Sequence, residues 1–178
     1  MDGFREIKPK DLEGNPFRMA GDDWFLLTAG SGNKWNTMTA GWATLGVLWG
    51  RNVLICFVRP SRHTFGFMEQ AEQFSCSFFG PEHRGALDFC GSHSGRNTDK
   101  AEGAGITPVD AGGVTAFQEA RLVIVCRKIY ADDIRAEKFL DPSLAANYPK
   151  GDFHRWYAGE IEHIWHRPPA LAADGKKR

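Results

Sequence analysis

The residues best suited to chemistry in this chain follow a strongly apolar segment and precede a predicted helix. The first turn of a helix presents unpaired backbone N–H groups and a partial positive charge, and arginine adds planar donors that match phosphate oxygens. This pattern predicts an anion site formed by Arg59, Pro60, Ser61, Arg62, His63 and Thr64. The alternative is that Ser61 and Thr64 only cap the helix while the arginines are solvated.

A second polar cluster lies at the head of a predicted strand. Small and hydroxylated residues leave room for a ligand near the backbone, and Asn, Thr and main-chain N–H groups donate to phosphates or to ring carbonyls. The candidate residues are Asn36, Thr37, Met38, Thr39 and Ala40. Without a ligand, the same residues are an ordinary polar start to a strand.

A glycine- and serine-rich segment between Cys90 and Lys100 provides a third cluster. Loops of this kind often carry function on a rigid scaffold, so this one could fold over a bound ring, with Ser94, Gly95 and Lys100 nearest to it. It could equally be an idle surface loop. Cys90 and His93 also suggest a thiol nucleophile, but no third residue to orient them is identifiable.

His154 precedes the last predicted strand and is the candidate catalytic residue. An imidazole there could bond a ring carbonyl or a substrate, or sit at a strand edge with its ring half in water. The spacing does not decide between these two roles. A large aromatic content, with 6 Trp and 13 Phe, suits either a planar ring ligand or a well-filled barrel core.

Composition excludes several other classes of function. Lys plus Arg and Asp plus Glu are both 22, so no basic excess is available to bind nucleic acid. No apolar run approaches the roughly 20 residues of a membrane span and no signal peptide is recognisable, so we expect a cytoplasmic protein. The four cysteines lack a C-x-x-C pair, and no metal site is expected.

The elements that must position these residues are mainly strands. Short runs rich in β-branched and aromatic residues predict strands at Trp24–Ala29, Met38–Leu48, Val53–Val58, Phe74–Phe79, Leu122–Ala131 and Trp156–Trp165. The 53–58 run is apolar throughout and should be covered on both faces, whereas residues 159–164 alternate like a half-exposed strand.

Helices are fewer, with one predicted after an N-cap at Ser61 and one at about 81–89. A mostly β, α+β chain with many Gly and Pro turns favours a closed or split β-barrel over a doubly wound parallel sheet. We expect one domain over residues 1–178, with an N-terminal arm at about 1–22 and a frayed tail at about 169–178.

Four of these segments, in this order, resemble the flavin-reductase-like family and, within it, the flavoredoxin branch. The matching pieces are N-T-M-T-A from Asn36, R-P-S-R-H-T from Arg59, S-G-R-N-T-D-K from Ser94 and H-R-W-Y-A-G-E-I from His154. Any one piece alone would be weak, but the four together extend over most of the chain.

The resemblance implies a split-barrel homodimer that holds FMN near the subunit interface. Asn36, Thr37, Met38 and Thr39 would then touch the ring and phosphate side of FMN. The turn from Arg59 to Thr64 would hold the phosphate, with Pro60 and His63 lining it, while Ser94, Gly95 and Lys100 would approach the ring. His154 would lie by the substrate face.

The function implied is an FMN-dependent oxidoreductase of the NAD(P)H:flavin reductase or flavoredoxin type. FMN carries the redox chemistry, NADH or NADPH serves as a transient donor, and a redox protein is a possible acceptor. No G-x-G-x-x-G fingerprint follows a strand, so the nicotinamide nucleotide would bind without a Rossmann domain. The alternatives are a non-enzymatic carrier of FMN or haem on the same barrel, and a flavin-free enzyme that uses Cys90 or His154.

Overall fold

The computed structural model describes residues 1–168, and the tail expected at 169–178 lies outside the described residues. The strands are β1 (Arg5–Ile7), β2 (Phe25–Ser31), β3 (Lys34–Ala40), β4 (Ala43–Leu48), β5 (Arg51–Val58), β6 (Gln73–Phe78), β7 (Pro108–Asp110), β8 (Thr115–Phe117), β9 (Leu122–Asp133) and β10 (Arg155–His166). The α-helices are α1 (Pro16–Arg18), α2 (His63–Gln70), α3 (Arg84–Ser92) and α4 (Lys100–Ala104). Short 3-10 turns lie at Pro9–Asp11, Pro81–His83, Ala136–Lys138 and Pro142–Asn147, and a π turn lies at Met19–Asp23.

One antiparallel sheet organises the molecule. Its strands follow the order β3-β2-β6-β9-β10-β5-β4, and β1 pairs with the far end of β10. The N-terminal arm is therefore fastened to the sheet at β1 and otherwise consists of short helical turns. Strands β7 and β8 form a separate two-stranded ribbon.

The two edge strands of this sheet are neighbours in the chain. Strands β3 and β4 stand at opposite ends of the order, yet only Gly41 and Trp42 separate them. Three Cα–Cα steps reach at most roughly 11 Å, so the sheet must curl until its edges almost meet, which produces a split barrel. The prediction of one strand over Met38–Leu48 is wrong, because the chain leaves one edge at Ala40 and enters the other at Ala43.

Both faces of the middle strands are covered, which explains their uninterrupted apolar runs. On β9, Ile124 and Cys126 pack inside the barrel, whereas Val123 and Val125 pack in a second core beneath α3 and α4. Strand β5 is buried at four of the six apolar positions and half-buried at Ile55 and Phe57. Strand β10 has the predicted half-exposed character, with Glu162 exposed and Ile164 buried.

The helices differ from the predictions mainly at their ends. The N-cap of α2 is Arg62, so the prediction of a Ser61 cap is wrong. Helix α3 follows the Pro81–His83 turn and runs to Ser92, so Cys90 is helical and not in a loop. Asp99 caps α4 by accepting from the backbone N–H groups of Ala101 and Glu102, which places Lys100 in that helix.

Residues 1–168 lack two features that would suggest other kinds of protein. No helix in this range is long and apolar enough to cross a membrane. No group of three or more His, Cys, Asp or Glu side chains in the same range is arranged to hold a metal ion.

A buried glycine sets the packing of β10 against its neighbours. A Cβ atom on Gly159 would lie 2.6 Å from Cys126 Cβ and 2.6 Å from the Phe74 ring. We expect Gly159→Ala to lower the free energy of unfolding by about 1–3 kcal/mol, since overpacking forces neighbours to shift. Gly46→Ala on β4 is the matched control, because nothing lies within 4 Å of the added Cβ. Urea denaturation compares the two, and equal effects would contradict the packing argument.

Candidate functional site

Three of the four predicted segments converge where the barrel is split. A cavity of about 230 Å³ opens there, between the end of β3, the turn after β5 and the residue before β10. Its lining consists of Met38, Thr39, Ala40, Gly41, Trp42, Phe57, Arg59, Arg62 and His154. The sequence prediction therefore identified residues that the fold brings together from distant parts of the chain.

The turn after β5 leaves donors without partners. Helix α2 begins at His63, and within residues 1–168 the backbone N–H groups of His63 and Thr64 have no hydrogen-bond acceptor. These groups carry the positive end of the helix dipole. The turn therefore presents unpaired donors at the positive end of a helix dipole.

The two arginines of this turn have different roles. Arg59 Nη1 donates to Asp152 at 2.7 Å, Nη2 donates to the carbonyl of Asn147 at 2.9 Å, and the guanidinium lies 5.0 Å from the centroid of the Tyr148 ring. Ser61 Oγ also donates to Asp152, at 3.3 Å. Arg59 and Ser61, predicted as anion ligands, are thus already engaged by a carboxylate of the same chain.

Arg62 remains available to a ligand. Its half-buried guanidinium makes no hydrogen bond or ion pair with any other residue between 1 and 168. Burial and the nearby charge of Arg59 lower the pKa of Arg62. An unpaired guanidinium in such a place is stabilised by a bound anion.

The His63 side chain borders the same turn. Burial, with Arg96 and Lys100 nearby, lowers the pKa of His63, whose ring lies edge-on to Phe67 at 5.3 Å. The exposed Pro60 completes the turn. The excess of positive over negative side chains here favours an anionic ligand.

The β3 residues divide between core and site. Asn36 is buried and donates to Thr64 Oγ1 at 2.7 Å, which ties β3 to the start of α2. Thr37 is fully buried and its hydroxyl donates to the carbonyl of Leu27, so this side chain supports the fold. Met38, Thr39 and Ala40 line the cavity, and Thr39 Oγ1 also donates to the carbonyl of Leu87.

The glycine-rich segment lies against Asn36 and His63. A Cβ on Gly95 would fall 1.9 Å from Asn36 Oδ1 and 3.4 Å from His63 Cδ2, so only glycine fits this approach. Ser94 is exposed and accepts from the backbone N–H of Arg96. The loop therefore borders the turn after β5.

Lys100 points inward from this segment. Its Nζ donates to the carbonyls of Thr37 and Cys90, each at 2.7 Å, and joins β3 to α3. Burial lowers its pKa to about 8. The side chain is therefore a tie between two elements behind the site, with two of its donors already used.

His154 lines the cavity beside Trp42. It is 8% exposed, its Nδ1 lies 2.9 Å from the Tyr148 hydroxyl, and its ring centroid lies 4.8 Å from that of Trp42. Burial and the charge of Arg59 lower its pKa to about 4. The imidazole is therefore neutral near pH 7.

Trp42 extends the cavity into a longer groove. Two adjoining cavities, of about 420 Å³ and 650 Å³, share Gly41 and Trp42 with the first. Small-molecule sites typically measure about 300–1,000 Å³, so the first cavity alone is small and the groove around Trp42 is of ordinary size. Trp42 is 46% exposed and presents a flat face to this groove.

The cysteines take no visible part in the site. All four are buried and free, and burial raises the pKa of Cys90 to about 11. A thiol that stays protonated at neutral pH is a poor nucleophile. This environment gives no support to the thiol-nucleophile alternative.

Sequence reasoning missed Asp152 and Tyr148. Both lie in an irregular segment before β10, where the sequence shows no periodicity. Their closeness to His154 in the chain, together with the two arginines three positions apart, could have suggested that one arginine has an internal partner.

Comparison with known proteins adds the family. A model of the flavin reductase like domain matches residues 22–177. No curated protein sequence matches the chain.

Solved structures show a similar fold at low sequence identity. An FMN-binding protein from Thermus thermophilus is 21% identical, with a TM-score of 0.65, covering 94% of this chain and 81% of the other. A flavoredoxin from Methanosarcina acetivorans is 21% identical, with a TM-score of 0.63 and coverage of 81% and 68%. An NADH:FAD oxidoreductase from Streptomyces globisporus is 18% identical, with a TM-score of 0.61 and coverage of 83% and 76%.

The lowered pKa of His154 predicts a pH dependence of stability. Between about pH 6.5 and pH 4 the unfolded chain binds a proton on this imidazole while the folded chain does not. Stability should therefore fall as the pH drops through this range, by on the order of 2–3 kcal/mol from this group.

Urea denaturation of His154→Gln at several pH values measures this contribution. The variant should show a shallower decline in unfolding free energy below pH 6.5 than the wild type. His93→Gln, at an exposed histidine, is the control and should keep the wild-type slope. Parallel slopes for all three proteins would contradict the assignment to His154.

Proposed function

The chain belongs to the flavin-reductase-like family, and from this premise we propose that it binds FMN and works as an oxidoreductase of the NAD(P)H:flavin reductase or flavoredoxin type. The observation that carries the proposal is the unpaired guanidinium of Arg62 beside the free N–H groups at the start of α2. A terminal phosphate is the group that satisfies both.

The donors at the turn fit the phosphate of FMN. Arg62 and the N–H groups of His63 and Thr64 would contact it, while Arg59 and Ser61 hold the turn through Asp152. Asn36 and Gly95 would stabilise the phosphate-binding turn without contacting the phosphate, because they hold β3 and the glycine-rich loop against the start of α2.

The groove around Trp42 fits a planar ring. Trp42 offers an aromatic face, and the backbone of Thr39, Ala40 and Gly41 offers groups that can bond ring carbonyls and nitrogens. His154 adds a neutral imidazole at the other wall. Met38 and Phe57 add apolar side chains to the cavity lining.

When bound, FMN supplies reversible two-electron chemistry. The chain's own residues bind and orient it and limit access of water, and no acid–base triad is needed. The main sheet, over residues 1–168, is antiparallel and lacks the parallel βαβ unit of a dinucleotide-binding domain. NADH or NADPH would therefore dock transiently over the open side of the groove.

We also propose that the protein is a homodimer. Val47 and Trp49 on the β4–β5 hairpin, with Trp42 and Tyr130, expose large hydrophobic side chains. Exposed apolar patches of this kind commonly mark interfaces. Sedimentation of the FMN-loaded protein at micromolar concentration is the measurement, and a monomeric mass would count against the proposal.

An anaerobic mixing experiment tests the function. The purified protein, loaded with FMN, should lose its flavin absorption rapidly when NADH or NADPH is added. Reduction by dithionite or a protein donor alone would instead indicate an electron carrier. A protein that takes up no FMN would refute the proposal altogether, and a haem spectrum would point to a different cofactor on the barrel.

Arg62→Ala gives the sharpest test of the phosphate contact. A charge-assisted hydrogen bond contributes roughly 1.5–3 kcal/mol, so FMN binding should weaken about 10- to 100-fold. Riboflavin lacks the phosphate and should be affected much less. Titration by quenching of flavin fluorescence measures both, with circular dichroism to verify folding.

Arg135→Ala serves as the matched control for this substitution. Among residues 1–168 the Arg135 side chain pairs only with Asp132, at the surface, and it lies outside the cavity lining, so both flavins should bind as in the wild type. Equal weakening of FMN and riboflavin by Arg62→Ala would assign Arg62 to the ring side or to folding.

A further inference from the structure

The environment of His154 determines which of its nitrogens carries a proton. The Tyr148 hydroxyl lies 2.9 Å from His154 Nδ1, and both side chains are buried, at 7% and 8% exposure. A hydrogen bond at this distance needs one proton between the two atoms. That proton belongs either to the phenol or to Nδ1. If the phenol donates it, a neutral ring carries its N–H at Nε2, and if Nδ1 donates it, Nε2 is unprotonated.

Hydrogen-bond accounting favours the phenol as donor. Within residues 1–168 the proton of the Tyr148 hydroxyl has no acceptor other than Nδ1. If Nδ1 donated, the phenol proton would be left without an acceptor among these residues, in a nearly buried side chain, which is costly. The Arg59 guanidinium, which lies over the Tyr148 ring, makes the phenol a stronger donor, because a nearby positive charge makes a hydroxyl more acidic.

Both groups also keep the ionisation state that this arrangement needs. Burial raises the pKa of Tyr148, and burial together with Arg59 lowers that of His154, against an opposing effect of Asp152. At neutral pH a protonated phenol thus faces a neutral imidazole. The neutral ring has a single N–H group. Because Nδ1 accepts the hydrogen bond from Tyr148, this N–H group is at Nε2.

The other ring nitrogen faces the cavity. Nε2 has no hydrogen-bond partner among the described residues, yet it is not one of the three fully buried atoms there that lack one. It therefore keeps accessible surface, and His154 lines the cavity between Trp42 and Phe57. An Nε2–H group at this position is free for a ligand.

We propose that Tyr148 is a positioning residue that fixes His154 in the Nε2–H tautomer, so that the site presents one uncharged N–H donor to a neutral acceptor atom of its ligand. The acceptor is a carbonyl oxygen or an unprotonated ring nitrogen of a planar heteroaromatic group. The identity of that ligand rests on the proposed flavin function, whereas the tautomer does not. His154 would select and orient, and would not deliver a proton at neutral pH.

The tautomer can be measured directly on the ligand-free protein. Two-bond ¹H–¹⁵N correlation spectra of the ¹⁵N-labelled chain at pH 7 distinguish protonated from unprotonated ring nitrogens, and His154→Gln assigns the peaks. The wild type should show Nε2 protonated and Nδ1 bare. A wild-type spectrum with the proton on Nδ1 would overturn the proposal, whatever the variants do.

Tyr148→Phe tests the role of the phenol, since it keeps the ring between Phe139 and Phe153. His154 should then become a mixture of tautomers. Tyr130→Phe is the control, because this exposed hydroxyl makes no hydrogen bond within residues 1–168, and it should leave the spectrum unchanged. A Tyr148→Phe spectrum identical to the wild type would show that something else fixes the ring.

Flavin titration then links the tautomer to the ligand. Tyr148→Phe should weaken FMN and riboflavin to the same degree, by about 2- to 10-fold, because the contact lies at the ring and not at the phosphate. Selective weakening of FMN would contradict the placement of His154 at the ring. If the protein bound no flavin, the proposed function would fail while the spectra still decided the tautomer.

Discussion

The connection between β3 and β4 is the constraint on which the rest of the structure depends. Because only Gly41 and Trp42 link opposite edges of one sheet, the sheet has to curl and cannot close by hydrogen bonds at that point. The gap that remains is bounded by backbone on one side and by the β5–α2 turn on the other. The candidate site therefore lies where the barrel stays open. Its position is set by the order in which the strands are connected and not by particular side chains.

The charges at this gap are divided between structure and function. Asp152 accepts hydrogen bonds from Arg59 and Ser61. These bonds stiffen the turn after β5 and attach to it the irregular segment before β10. Arg62, three residues further along, is left without a partner among residues 1–168. A binding site built in this way is pre-organised, because the groups that hold the turn in shape are not the groups that the ligand must recruit.

The sequence was informative where a local pattern determines the structure. Apolar, β-branched runs located the β5, β6 and β9 strands, and the Arg59–Thr64 turn was recognised from helix-start chemistry. The break at Gly41 was missed because small and apolar residues continue through it without a charge or proline. The partner of Arg59 could not be predicted, since Asp152 lies 93 positions away and only tertiary packing brings the two together. For the same reason Lys100 was assigned to the ring side although it faces the interior.

The place of β10 in the sheet has a consequence for how the chain folds. Without β10 the main sheet falls into two parts, β3-β2-β6-β9 and β5-β4, which β10 joins by pairing with β9 and β5 at once, while β1 pairs with its far end. These contacts join residues far apart in the chain, and topologies dominated by such contacts fold slowly, on the order of milliseconds to seconds. During synthesis β5 and β9 each keep one unpaired edge until β10 emerges. Open edges pair readily with other chains, so the time before this strand emerges is when the nascent protein is most exposed to aggregation.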